Sequence, residues 1–309
     1  MRAGVTFEAV TVCHHCTLFI NFSHVTQVVS TTCSFLLLQT MHSMKSICSL
    51  LCLAIALQGY SQSAASLVEA ELAFARQSRE ENTRAAFLAN LDSNGVIFNN
   101  GRVLNGVKFW QRAPAQGAKL LWTPSMSHTA SAGDVGYTTG PYEVRDSIGG
   151  KVLGSGQFTS VWKLDGTGKW KLLADLGTSY VNNAFPGQVL TAVGELLIPA
   201  TQPTSIDQLE TSLLQALQAG SASVINRIAT NGVLNFNGRQ PLQAKDSVQQ
   251  ALALLQEARF SAFASGISQS NDLGYVYGQV KKGSATANYL RVWGHTARGW
   301  VVLVQVIDL

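Results

Sequence analysis

Residues 94–102 read Asn-Gly-Val-Ile-Phe-Asn-Asn-Gly-Arg, and residues 231–239 read Asn-Gly-Val-Leu-Asn-Phe-Asn-Gly-Arg, an offset of 137. Further on, Asp134-Val135-Gly136-Tyr137 is matched by Asp272-Leu273-Gly274-Tyr275 at an offset of 138. Val161-Trp162 is matched by Val292-Trp293 and Trp170 by Trp300, so the offset falls to 131 and then 130. That drift implies a shorter hairpin in the second copy. Order and spacing persist over a span far too long for coincidence. Two copies make a duplicated domain, because a solenoid needs at least three repeats.

Each copy has the same coarse layout. Ser66-Leu67-Val68-Glu69 and Ser205-Ile206-Asp207-Gln208 are capping-box signatures. They open helices expected over 67–80 and 206–219, with Gly220 as the stop of the second. A short second helix is expected near 82–91 and 221–229, then a strand at the Asn-Gly-Val segment and a tight Asn-Gly turn. A third helix is clearer in the second copy, where Val248, Ala251, Leu252 and Leu255 follow the i, i+3, i+4, i+7 pattern. Four strands rich in Val, Tyr, Trp and Thr close each copy. Helices followed by an antiparallel meander give an α+β class. Residues 178–204, interrupted by Pro186, Pro199 and Pro203, join the copies.

Composition narrows the chemistry. The chain has 309 residues, 46% hydrophobic and 13% charged, with a formal charge of +4. Disorder is excluded by the ordinary apolar content, and so small and dispersed a charge is no nucleic-acid footprint. Residues 44–61 read as a secretory signal. Met44-Lys45 is the positive start, Ile47 to Leu57 the apolar stretch, and Gln58-Gly59-Tyr60-Ser61 the exit. Cleavage is expected after Ser61, which places the mature chain in the periplasm or outside the cell with no stable membrane anchor. Residues 1–43 read as an over-extended start; the rival is a genuine extension that anchors the protein in a membrane. All five Cys (13, 16, 33, 48 and 52) lie upstream of residue 62. Residues 62–309 therefore hold no thiol and only two His, His128 and His295. Cys-His catalysis and zinc sites built from several His or Cys ligands are excluded there, and no metal or cofactor is expected.

The order of Phe98, the Asn100-Gly101 turn, Gly136-Tyr137-Thr138-Thr139-Gly140, Val161-Trp162 and Gly168-Lys169-Trp170-Lys171 resembles the nuclear transport factor 2-like superfamily, and within it the SnoaL-like bacterial domains. The resemblance covers 67–177 well and 205–309 more loosely. It implies two tandem cone-shaped α+β rolls, residues 62–177 and a degenerate copy at 205–309, each a curved sheet wrapped around helices with an apolar pocket. The superfamily spans isomerases, cyclases, dehydratases and non-catalytic binding or dimerising domains, so fold alone does not settle function. Its isomerases place their base just after the first strand. Here that position holds Asn99 or Asn100, and Asn237 in the second copy. An amide abstracts no proton, so the departure counts against isomerase chemistry.

Alternation along strands nominates pocket residues. Around 120–130, Leu120, Trp122, Met126, His128 and Ala130 share a parity. His128 is the expected acid/base, with Asp175 or Tyr137 as its partner. Trp122, Met126, Glu143, Phe158 and Trp162 are expected to line the ligand site. In the second copy His128 aligns with Gly266, Glu143 with Lys281 and Asp175 with Gln305, so that copy is read as structural. His295 is expected as an exposed turn residue. Three functions stay open: an exported module binding a small apolar or amphipathic molecule, a cofactor-free isomerase, cyclase or dehydratase using His128, and a structural domain with a filled cavity. The copies are expected to pack through their sheets as an intramolecular pseudo-dimer, or to pair as a homodimer.

Overall fold

The computed structural model describes residues 67–115, 117–181, 192–193, 195–243 and 245–309. The expected signal peptide, the five Cys, Ser66 of the first capping box and part of the linker lie outside the described residues. Helix α1 covers 67–80 and buries Leu67, Glu71, Phe74 and Ser78, one stripe at spacings of four and three. After α2 (Thr83–Asn90), strand β1 (Leu91–Asn99) turns through Asn100-Gly101 into β2 (Arg102–Asn105). Both turn residues have positive φ, 50° and 73°, which Asn and Gly tolerate best. Helix α3 (Gly106–Arg112), β3 (Lys119–Trp122), β4 (Met126–Thr129), β5 (Val135–Arg145), β6 (Val152–Leu164), β7 (Trp170–Ser179) and β8 (Ala192–Val193) complete the first half.

The second half runs α4 (Ile206–Ala219), α5 (Ser221–Ile225), β9 (Ile228–Phe236), α6 (Lys245–Ala253), β10 (Arg259–Ile267), β11 (Leu273–Lys282), β12 (Ala285–Thr296) and β13 (Gly299–Ile307). Ser205 caps α4 by accepting from Gln208 N, and Gly220 ends it. Helix α4 buries Ile206, Glu210, Leu213 and Leu217, the same spacing as α1 with Glu again in second place. The short helix expected to reach 229 stops at Ile225, because Ile228 already joins the sheet.

The protein is thus mixed α+β with two sheets. Their strand orders are β2-β1-β7-β6-β5-β4-β8, with β3 also on β5, and β10-β11-β12-β13-β9. In each, the first long strand lies parallel to the last: β1 on β7, β9 on β13. The other pairings are antiparallel, apart from the parallel β4–β8 contact.

Two irregularities set which side chains face the helices. Trp122 opposes Tyr142 while Met126 opposes Thr139, so β3–β4 carries one residue more than β5 across Thr123-Pro124-Ser125. A one-residue bulge reverses every side chain beyond it. The strand expected over 120–130 is therefore two strands with opposite faces. Trp122 joins the apolar cluster under α1 and α2, whereas Met126 and Ala130 join the cluster between the sheets. Gly140 permits the bulge, since a Cβ there would sit 2.0 Å from Thr123 O; Gly278 does the same against Ser261 O, also 2.0 Å. The second irregularity falls between Val161 and Trp162 on β6–β7 and between Val292 and Trp293 on β12–β13. It inserts Leu173 and Leu303, which both turn into the inter-sheet cluster.

That cluster draws on both sheets, with Val96, Tyr137, Val161 and Leu176 against Val233, Leu290, Val292 and Val304 among its members. Polar contacts flank it. Ser131 N donates to Asp272 Oδ2 at 2.9 Å, and Gln269 N donates to Asp134 Oδ2 at 2.9 Å. Each donor and acceptor stands 138 residues from its counterpart, so the exchange is reciprocal. His295, expected in an exposed turn, instead lies within β12, half-buried, with Nδ1 2.6 Å from Ile198 O.

Candidate functional site

The helix face of the first sheet holds a buried carboxylate that strand alternation gave no reason to seek. Glu71 Oε1 accepts from Trp122 Nε1 at 2.5 Å, and Oε2 accepts from Thr138 Oγ1 at 2.5 Å and Trp162 Nε1 at 2.9 Å. Burial pushes its pKa up to about 7, partly offset by those hydrogen bonds and reinforced by the charge of Asp175. The second half repeats the motif, with Trp293 Nε1 donating to Glu210 Oε1 at 2.7 Å.

Beside Glu71 lies a cavity of about 270 Å³. Its walls are Phe74 of α1, Phe87 of α2, Leu120 and Trp122 of β3, Tyr142 of β5 and Phe158 of β6, and β7 contributes Asp175 and Gly177. The aromatic rings interlock: Phe74 meets Trp122 edge-on at 4.6 Å between centroids, and Trp122 meets Phe158 at 6.4 Å. Asp175 Oδ2 accepts from Ser160 Oγ at 2.7 Å. Its pKa rises to about 6 through burial, against the lowering pull of that bond. Among the described residues, no Lys, Arg or His forms an ion pair with Glu71 or Asp175.

The same register positions in the second half are filled. Ser160 opposes Asp175 and Thr138 on the neighbouring strands; Arg291 opposes Gln305 and Val276 in the same way. The Arg291 side chain is fully buried. Nε and Nη2 donate to Gln305 Oε1 at 2.9 and 2.8 Å, and Nη1 is ion-paired with Glu210. The guanidinium lies 5.4 Å from the Phe260 ring centre and 5.3 Å from that of Tyr289. By register these two stand where Trp122 and Phe158 stand in the first half. Gly177, opposite Phe158, becomes Ile307 opposite Tyr289.

Of the nominated residues, Asp175, Trp122 and Phe158 line the cavity. Trp162 is buried behind it on Glu71. Met126 and His128, reversed by the bulge, lie on the opposite face of the sheet, as Tyr137 of β5 does, and the expected pairing of His128 with Asp175 or Tyr137 inside one pocket is not formed. Tyr137 O–H points to Met126 Sδ at 3.6 Å. His128 is buried, which lowers its pKa to about 4 against the pull of Asp272 from the second half. Glu143 is buried but does not line the cavity, and its Oε2 accepts from Arg145 Nε at 2.8 Å. Sequence reasoning placed Leu120 on the pocket face and passed over Glu71, Phe74, Phe87 and Tyr142. The signal for Glu71 was present: a carboxylate inside an apolar helical stripe, mirrored at Glu210. Among the described residues, no group of three His, Cys, Asp or Glu could hold a metal ion, and no helix is long and apolar enough to cross a membrane.

No protein-family model matches the chain, and comparison with curated proteins finds no match. Among solved structures, a nuclear transport factor 2-like protein of unknown function from Shewanella oneidensis is 18% identical, covering 34% of this chain and 96% of its own, with a TM-score of 0.29. A protein of unknown function with a cystatin-like fold from Nostoc punctiforme is 17% identical, covering 35% and 94%, with a TM-score of 0.28. A de novo designed protein with a curved β-sheet is 7% identical, covering 33% and 99%, at 0.29. At these values the likenesses carry no argument about function.

Proposed function

We propose that the protein is an exported binding module of two tandem nuclear transport factor 2-like copies, residues 62–177 and 205–309, in which only the first copy takes a ligand. The ligand is a small apolar or amphipathic molecule held without catalysis in the cavity between α1, α2 and the first sheet. The observation that carries this reading is that cavity: six apolar or aromatic side chains converge there with one carboxylate, Asp175. Ligand sites are commonly apolar clefts with few polar groups to fix orientation. The duplication is supported by the recurring strand order, the two matching bulges and the paired Glu–Trp contacts. The reciprocal Asp134 and Asp272 contacts support an intramolecular pseudo-dimer, since a two-fold interface repeats each contact with roles exchanged. Export to the periplasm or beyond rests on residues 44–61.

A panel of small neutral aromatics, indole and toluene among them, tests the pocket. Binding is expected to raise the thermal midpoint and to quench tryptophan fluorescence, and Gly177→Ile is expected to abolish both. A panel in which no member shifts either signal would overturn the reading. Intact mass of the secreted protein checks the start of the mature chain, expected at Gln62.

A further inference from the structure

The second half supplies a picture of what the first-half cavity is built to hold. Its guanidinium lies against an edge-to-face pair of aromatic rings, is held by the side chain opposite in the sheet, and neutralises the buried Glu on the first helix of that half. The first half keeps each of those partners. Trp122 and Phe158 are the rings, Asp175 is the opposite side chain, and Glu71 is the buried Glu. What it lacks is the cation, because Ser160 stands in the register position of Arg291. Asp175 is also a stronger partner than Gln305, since a carboxylate accepts a guanidinium in bidentate fashion with full charge.

Resting on the binding reading above, we propose that the cavity recognises a cationic head group, a guanidinium, amidinium or primary ammonium, carried on a small apolar or aromatic body. The head lies against Asp175, beneath Trp122 and Phe158, in the place that Arg291 occupies in the other half. Three attractions converge on it: ionic hydrogen bonds from Asp175, the field of buried Glu71, and the faces of two aromatic rings. The apolar body fills the space among Phe74, Phe87 and Leu120. Gly177 contributes by absence: it lets the Tyr142 ring close in as a wall, with Cε1 3.3 Å from where a Cβ would stand, and the second half has Ile307 at that register position.

Three probes of nearly one shape and different charge test this: benzamidine, benzamide and benzoate, each titrated calorimetrically into the purified protein. Benzamidine is expected to bind at least 10-fold more tightly than the other two. Asp175→Asn is expected to bring benzamidine down to the level of benzamide. Ser160→Arg, which gives the first half its own tethered guanidinium, is expected to exclude all three while near-ultraviolet circular dichroism stays native. Should Asp175→Asn fail to fold, the ranking of the three probes on the unaltered protein still decides. Benzamide or benzoate binding as well as benzamidine would overturn the cation proposal and leave the apolar-ligand reading standing. If neither these probes nor the neutral aromatic panel binds, both fall.

Discussion

Ser160 and Arg291 hold the same register position on β6 and β12, each one residue before a bulge and two before a tryptophan bonded to a buried glutamate. Around them the two halves diverge. Arg291 and Ile307 fill the second half with a cation and a large apolar side chain, and Ser160 and Gly177 leave the first half open. The lesson is that one framework can be completed in two ways. The second half satisfies its buried carboxylate internally, through Arg291 and Trp293. The first half keeps two carboxylates with raised pKa values and, among the described residues, no cation paired with them, at a cost in stability that a bound partner would relieve.

The comparison breaks most readily at Arg291. Arg291→Ala strands Glu210 in an apolar core and is expected to cost about 3–5 kcal/mol by urea unfolding. Arg291→Met combined with Glu210→Gln should recover most of that loss, because the pair is removed together. A cost under about 1 kcal/mol for the single change would mean the ion pair does not define the second half. Glu71→Ala is expected to cost less, on the order of 2–3 kcal/mol, since it leaves the Trp122 indole N–H and the Thr138 hydroxyl without an acceptor, and Trp162 with only its 3.3 Å bond to Thr138 Oγ1, yet strands no charge.

The pH dependence of stability distinguishes the two faces of the first sheet. Glu71 has a folded pKa of about 7, above its ordinary 4.5, so the folded state holds a proton that the unfolded state has lost. Its contribution is full below pH 4.5 and disappears as pH rises to about 7, at up to about 1.4 kcal/mol per pH unit. Asp175 acts likewise between 3.8 and about 6. His128 has the opposite sign: its folded pKa of about 4 lies below 6.5, so stability is lost as pH falls through that range. Urea midpoints at pH 5 and pH 7 should therefore respond in opposite directions. Glu71→Gln flattens the decline on raising pH, and His128→Asn steepens it. A slope unaffected by either change would remove these groups from the account.

The smallest effect tests the relation between the halves. Asp134, half-buried, accepts one inter-half hydrogen bond, whereas Asp272 also accepts from Ser268 and Ser270 at 2.9 and 2.6 Å. Asp134→Ala is expected to cost roughly 0.5–1 kcal/mol and Asp272→Ala more, each measured by urea unfolding. Equal costs would argue that the local turn contributes nothing beyond the reciprocal pair.

Much of this architecture is legible in the residues themselves. The recurrence of Asn-Gly-Val and Val-Trp offers a strand-by-strand comparison, in which His128 stands opposite Tyr137 as Gly266 does opposite Tyr275, and Asp175 opposite Ser160 as Gln305 does opposite Arg291. Both long helices lie where their apolar spacing and caps put them. The site was legible in part: Asp175, Trp122 and Phe158 line the cavity, and His128 does not. His128 was misassigned because alternation was carried straight through Thr123-Pro124-Ser125. A period of two survives only while each residue has one partner opposite, and a single inserted residue reverses everything after it.

Sequence alone, then, determines local periodicity, capping and self-similarity, because these depend on neighbours within a few positions and on comparison of the chain with itself. The tertiary structure decides which face each strand turns to the helices, since a bulge depends on the fit of two strands, here at Gly140 and Gly278. It also decides that Glu71 lies within reach of two indoles. And it decides that one half is hollow, because a cavity is the volume left over when side chains from six separate elements have met, a quantity no single segment contains.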